Sequence, residues 1–181
     1  MAKQVRDVYG NALFELAIEE NRIDEFMSET AAVLEALSDN PELYGMMMHP
    51  QIGEEEKVEV LAGIFKGRVS DELYSLLGML LEKGHFADTG DVLETFADRV
   101  REYRKIGVVY VTTPMELALA QRKAVEERLL DITDFVSLEM NFSIDESLIG
   151  GMIIRIGDRV VDSSIKTKLD KLSHELAAGS R

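Results

Sequence analysis

The spacing of apolar residues divides the first 105 positions into six helices, two of them short, separated by brief polar breaks. From Val5 to Glu20, Val5, Val8, Tyr9, Ala12, Leu13 and Leu16 fall on one stripe. With about 3.6 residues per turn, Gly10, Phe14, Ala17 and Ile18 fall on a second arc. Two apolar arcs suit a central helix or a docking surface for another helix; an unusually apolar core explains them equally well. Arg22 to Ser38 follows, with Ile23, Phe26, Val33, Leu34 and Leu37 as core contacts. Asn40 before Pro41 predicts a capped short helix that stops ahead of Pro50. Glu54, Glu55 and Glu56 occupy the first turn of a helix running from Gly53 to Phe65, where negative charge opposes the dipole. Ser70 is placed to cap a helix ending at Lys83, with Gly84 as its exit, and Leu73, Leu76, Leu77, Met79, Leu80 and Leu81 wrap most of its surface. A last helix from Asp88 to Lys105 ends in Arg101, Arg104 and Lys105.

The pattern changes after Lys105. Ile106 to Thr112 is β-branched and too short for a helix, so it predicts a strand. Thr113-Pro114-Met115-Glu116 has the form of a capping box with proline at the first helical position, predicting a helix through Leu130. Phe135 to Phe142 alternates as a strand, and Gly157-Asp158 is a two-residue turn between strands at 151–156 and 159–161. Asp162 or Ser163 then caps a final helix with Ile165, Leu169, Leu172 and Leu176 on one seam. The expected architecture is mainly α: an N-terminal six-helix bundle over 1–105, then a small α+β region over 106–181. The order strand, helix, strand, strand, strand, helix does not resolve to one topology.

Charge sharpens this division. Residues 1–105 carry 22 acids against 11 bases, and residues 106–181 carry 12 against 9, for a formal total of −14 over 181 residues. Such a surface repels phosphate backbones and anionic lipid, so nucleic-acid binding is not expected. The absence of cysteine excludes disulfides, thiolate metal sites and cysteine nucleophiles. No apolar run approaches the ~20 residues of a membrane span, and no signal-peptide core is expected at the N-terminus.

Candidate chemistry does not converge. His49, His85 and His174 share no ligand spacing, and the first two stand in turn contexts. Ser163-Ser164-Ile165-Lys166 has a serine–lysine spacing known from penicillin-binding enzymes but lacks their other motifs, and reads as a capped helix start. Asn141-Phe142-Ser143 is a sequon inside a strand. Gly150-Gly151 lacks the third glycine of a dinucleotide loop. Met46-Met47-Met48 reads as gap-filling in a core. No catalytic, cofactor-binding or metal-ligating residue is assigned.

Taken together, these segments resemble the δ-subunit family of F-type ATP synthases, which includes the oligomycin-sensitivity-conferring protein. The most specific stretch is Leu148-Ile149-Gly150-Gly151 through Gly157-Asp158 to Asp162-Ser163-Ser164-Ile165, continued by Lys168-Leu169-Asp170-Lys171-Leu172. Tyr9 to Ala17 is similar to the family's first helix, with Gly10 where alanine is usual; Val111 to Met115 is similar to the opening of its C-terminal region, with Thr113 replacing alanine. The resemblance implies a non-catalytic stator subunit of the peripheral stalk, without a cofactor. It would lie on the cytoplasmic face of the cell membrane without entering it, resisting rotor torque while a gradient of protons or another ion drives ATP synthesis. It also implies two partners. The N-terminal helix of an α subunit in the catalytic head would dock on the first and fifth helices, at Tyr9, Ala12, Leu76 and Met79, with Phe14 and Ile18 as the alternative face. The C-terminal helices of b subunits would dock on Ile165, Lys166, Leu169, Leu172 and Leu176, with Gly150 and Gly151 shaping a turn; packing of that seam on the strand from Gly151 to Ile156, with the lysines merely solvated, explains it equally well. A helical adaptor with another partner would keep the bundle but not the signature from the double glycine to Ser163.

Overall fold

The computed structural model describes residues 2–169 and is mainly helical, with a small four-stranded sheet toward the C-terminus. The chain forms two compact units, Met1–Val100 and a second from Arg101 onward. Leu172, Leu176 and Lys171 lie outside the described residues.

Six α-helices make up the first unit: α1 (Ala2–Glu19), α2 (Ile23–Asp39), α3 (Pro41–Met48), α4 (Glu54–Phe65), α5 (Asp71–Glu82) and α6 (Thr89–Tyr103), the last running on past the unit's end. A single 3-10 turn, Phe86–Asp88, precedes α6. Phe26, Val33 and Leu37 of α2, Leu61 and Phe65 of α4, five leucines of α5, and Val92, Leu93, Phe96 and Val100 of α6 share one core. Met47 alone of the methionine triplet is buried with them.

Helix α1 departs from the stripe its sequence suggests. Its buried residues are Gly10, Leu13 and Ala17, while Val8 and Ala12 are exposed. Gly10 sets this rotation: a Cβ there would stand 2.8 Å from Thr95 Cβ and Cγ2 and 3.0 Å from the Val92 carbonyl of α6. The α1 backbone thus packs against the Thr95 side chain and the Val92 carbonyl at a position that carries no hydrophobic signal.

Several helix starts are right in place but held by unexpected partners. Ser70 precedes α5, yet its hydroxyl does not cap that helix. It donates to Glu29 Oε2 at 2.6 Å, and the Ser70 N–H donates to Glu29 Oε1 at 3.0 Å, so a carboxylate from α2 clamps the start of α5. Asn40 does not cap α3 either; its side-chain amide donates back to the Ala36 carbonyl of α2. Arg22, just after the left-handed Asn21 (φ 56°), pairs with Glu20 and Glu25 at 2.7 Å and reaches Glu72 of α5 at 3.4 Å. Its hydrogen bonds keep the Glu25 carboxyl below the usual range. Exposed pairs of this kind are screened by solvent and add little to stability. Gly84 (φ 70°) ends α5, with its N–H on the Leu81 carbonyl and that of His85 on Leu80, a Schellman exit.

In the second unit, β1 (Ile106–Thr113) lies between β2 (Ser137–Ile144), to which it runs parallel, and β3 (Ile153–Ile156), to which it is antiparallel; β4 (Arg159–Asp162) closes a hairpin on β3. Gly157, at φ 54°, begins its two-residue loop. Helix α7 (Leu119–Ile132) crosses from β1 to β2 and buries Leu129 with Val109 and Val111. This helix begins five residues later than the expected start at Pro114. Thr113 is still paired with Ile144 in the sheet, and its hydroxyl donates to the Met115 carbonyl. Glu116 pairs with Arg122 instead of closing a capping box, and Gln121 Oε1 accepts the Ala118 N–H at the true start.

The Gly10 contact carries a quantitative expectation. Gly10→Ala gains about 1 kcal/mol of helix propensity but overpacks the α1–α6 contact, which costs about 1–3 kcal/mol. The net effect is a loss, read as a fall of a few degrees in Tm by calorimetry. A Tm above that of the wild type would show that α6 yields without penalty.

Candidate functional site

The rotation of α1 decides which of its apolar residues remain available. Tyr9 is half-buried, with Lys83 Nζ 5.8 Å from its ring centroid. Together with Gln4, Val5, Val8 and His85 it lines an open cleft of about 270 Å³. Val8 is 60% exposed, and Ala12, one turn further along, is exposed as well. This flank of α1 therefore faces the exit of α5. The opposite flank borders α6, where Arg99 Nε donates to Asn11 Oδ1 at 2.7 Å. There Phe14 is half-buried against the core and Ile18 is only 37% exposed. On α5, Met79 is exposed at 42%, but Leu76 is buried and offers a partner little surface. The structure thus brings Tyr9 and Ala12 to one open flank and separates them from Phe14 and Ile18. Sequence reasoning missed Val5, Val8, Lys83 and His85 as neighbours of this cleft. The two valines were visible only as core candidates; the α5 exit at Gly84 was the signal for the other two.

In the second unit, the start of the final helix (165–169) is built against the double glycine. Gly151 has φ 79°, and a Cβ there would meet the Ser163 carbonyl at 2.5 Å. A Cβ on Gly150 would meet Ile165 Cδ1 at 2.6 Å. The Ile165 N–H donates to the Gly150 carbonyl at 2.9 Å, and the Ser163 N–H to Met152 at 3.0 Å. Gly150 and Gly151 therefore do more than turn the chain: they form the seat on which residues 163–165 rest. The helix cap is neither Asp162 nor Ser163. Ser164, fully buried, accepts the Thr167 N–H on its hydroxyl at 3.2 Å. Asp162 supports it by accepting from the Ser164 N–H and the Thr167 hydroxyl.

With its backbone seated, this helix leaves its apolar side chains uncovered. Ile165 is 43% and Leu169 52% exposed, with Lys166 and Lys168 exposed beside them. Lys166 also acts on Asp145, whose carboxyl is held below the usual range first by the Ser147 hydroxyl, then by the Ser147 N–H and Lys166. Neither surface gathers acid–base chemistry, and no group of three His, Asp or Glu among the described residues could hold a metal ion. No helix among them is long and apolar enough to cross a membrane.

The two glycines should differ on substitution. At Gly150 a methyl meets the end of a flexible side chain; at Gly151 it meets backbone, in a conformation unfavourable to L residues. Gly151→Ala should speed amide exchange at Ser163 and Ile165 by roughly tenfold or more, the release of about 1.4 kcal/mol or more of local stability, whereas Gly150→Ala should change it far less. Equal exchange in both variants would contradict the seat.

Comparison with known proteins gives these surfaces a context. The pattern of the family described as ATP synthase delta (OSCP) subunit matches residues 5–176. The chain is 44% identical over 176 residues to ATP synthase subunit delta of Lachnoclostridium phytofermentans, covering 97% of both chains. It is 33% identical to that of Halalkalibacterium halodurans, covering 98% of this chain and 97% of the relative. A chain in the mitochondrial ATP synthase hexamer of Toxoplasma gondii has the same fold, with a TM-score of 0.73, 22% identity, and coverage of 95% of this chain and 97% of that one. Proteins of this type are structural components of the synthase and not its catalytic subunits. On its sequence, over nearly its whole length, the chain belongs to the ATP synthase delta (OSCP) subunit family, the stator-associated subunits of F-type ATP synthase.

Proposed function

We propose that the chain is a two-ended coupler in the peripheral stalk, tying the catalytic head to the b subunits and resisting the torque of the rotor during ATP synthesis. In this reading residues 1–105 act as an autonomous six-helix bundle that holds the head, and residues 106–181 hold the stalk, at the cytoplasmic face of the membrane. The observation that carries the reading is that each unit leaves apolar side chains uncovered beside a few basic groups, while neither assembles a reactive site. Exposed apolar residues grouped on one flank favour a partner surface.

At the first end, an amphipathic helix from the N-terminus of an α subunit lies along Val8, Tyr9, Ala12 and Met79, with Lys83 and His85 at one end of its cleft. The helix-in-groove mode supplies the affinity through apolar anchors. At the second end, the C-terminal helices of the b subunits meet Ile165 and Leu169, with Leu172 and Leu176 continuing the seam in sequence. Lys166 and Lys168 favour acidic flanks on that partner. The alternative of an adaptor with another partner lacks support, because the chain carries the whole signature from Gly150 to Ser163.

Two experiments test the ends separately. Ala12→Asp should weaken binding of an α-subunit N-terminal peptide by roughly tenfold or more, the effect of spoiling a central contact, with Tm unchanged because Ala12 is exposed. Ile18→Asp, on the opposite flank, should bind as the wild type does; the reverse ranking would move the site to that flank. Truncation after Asp162 removes the capped helix but no core residue of the first unit. It should abolish binding to the b subunits and leave binding to the head intact. Retained b-subunit binding would show that the stalk joint lies elsewhere in the chain.

A further inference from the structure

We infer that Ile149 is an additional docking residue of the second unit, held outward in a strained turn so that it extends the apolar surface of Ile165 and Leu169 toward the same amphipathic helix. The inference rests on the stalk reading above and adds to it a residue from a different segment.

The conformation of Ile149 is the starting point. It has φ 64° and ψ −42°, and the Gly150 N–H donates across it to the Leu148 carbonyl at 2.7 Å. That is a γ-turn of the rare, strained sense. For a β-branched residue, positive φ is a genuine outlier. The turn persists because its surroundings over-determine it. The Asp145 N–H is pinned to the Thr113 carbonyl of β1 at 2.8 Å, and Asp145 Oδ1 accepts the Ser147 N–H. Leu148 is buried at 4% exposure, and the Gly150 carbonyl accepts from Ile165.

Among the described residues, nothing accounts for isoleucine at this point. Glycine would adopt the same turn without strain. Packing gives no reason either, since the side chain is 68% exposed. A strained residue that is also apolar and uncovered points to use by a partner. Its position agrees: Gly150, the next residue, is where Ile165 rests, and Leu169 stands one turn further along the helix. Ile149 thus immediately precedes the glycine on which Ile165 rests, at the clasp between the 145–151 loop and the helix start.

Charge selects the occupant. Lys166 and Lys168 stand exposed on the same helix start as Ile165 and Leu169, and residues 163–169 contain no acid, in a chain of net charge −14. The fitting partner is an amphipathic helix with an apolar stripe and acidic flanks, which in the stalk reading is the C-terminal end of a b subunit.

The test uses the full chain and a labelled peptide of the C-terminal segment of the b subunit from the same synthase, with binding read by anisotropy and stability by calorimetry. Ile149→Gly should raise Kd roughly fivefold or more, as expected for losing a partly covered aliphatic contact. Its Tm should equal or exceed that of the wild type, because strain is relieved. Ile149→Val, which keeps an apolar β-branched side chain, should bind as the wild type does. A smaller rise in Kd for Ile149→Gly overturns the docking role, and a lowered Tm overturns the strain argument. Leu169→Asp separates the two levels. If it abolishes binding while Ile149→Gly does not, only this inference fails; if neither affects binding, the stalk reading fails with it.

Discussion

The contact between Gly10 and α6 is the constraint on which the first unit's surface depends. Helix α1 has more apolar residues than one buried face can take, so its sequence alone permits several rotations. The missing Cβ lets the α1 backbone close on Thr95 and the Val92 carbonyl, and that approach selects one rotation. Leu13 and Ala17 then enter the core, Phe14 and Leu16 pack at its margins, and Val8 and Ala12 are left outside. The exposed flank of α1, proposed above as a partner surface, is therefore the remainder of packing on the opposite side of the same helix.

A comparable division of labour operates in the second unit. Among the described residues, Val109, Val111 and Leu129 are the buried members of the sheet–helix cluster. At the helix start over 165–169, specific backbone geometry does the positioning. Gly151 admits the Ser163 carbonyl, Gly150 admits Ile165, Gly157 turns the hairpin, and Asp162 with Ser164 caps the helix. The residues that make this region recognisable in sequence are thus mostly spent on holding the chain to itself. The side chains turned to solvent, Ile149, Ile165 and Leu169, are the ones left for a partner.

Much of the element order was legible in the sequence, because apolar periodicity reports which segments can bury a face. The six helices before Lys105 and the four strands after it follow that signal to within a few residues. What escaped it was decided by partners far along the chain. Ser70 has the right chemistry to cap α5, but Glu29, 41 positions earlier, takes both its N–H and its hydroxyl. Thr113-Pro114 looks like a helix start in isolation, yet pairing with Ile144 extends the strand through Thr113. The central place of β1, parallel to β2 and antiparallel to β3, depends on pairings between segments that share the same alternation. On α1 the stripe holds at Val5, Tyr9, Leu13 and Leu16 but misplaces Val8 and Ala12 for a different reason: a glycine at a close approach looks, in any hydrophobic pattern, like a gap.

The charge of the chain bears on how two similar joints stay distinct. Both proposed partners are amphipathic helices, so apolar contact alone would let either occupy either end. Residues 1–105 carry a net −11, whereas residues 106–181 carry only −3 and the helix start at 163–169 holds Lys166 and Lys168 with no acid. An acidic helix is thus repelled by the first unit and drawn to the second, while a basic or neutral one is free to reach the first. Beyond about 8 Å this discrimination is screened at physiological ionic strength, so it acts in the last approach and not at long range. Once a helix is seated, buried aliphatic area sets how long it stays, since most differences in affinity within one interface lie in the off-rate. On the proposed reading, charge then sorts the two partner helices and apolar burial retains them.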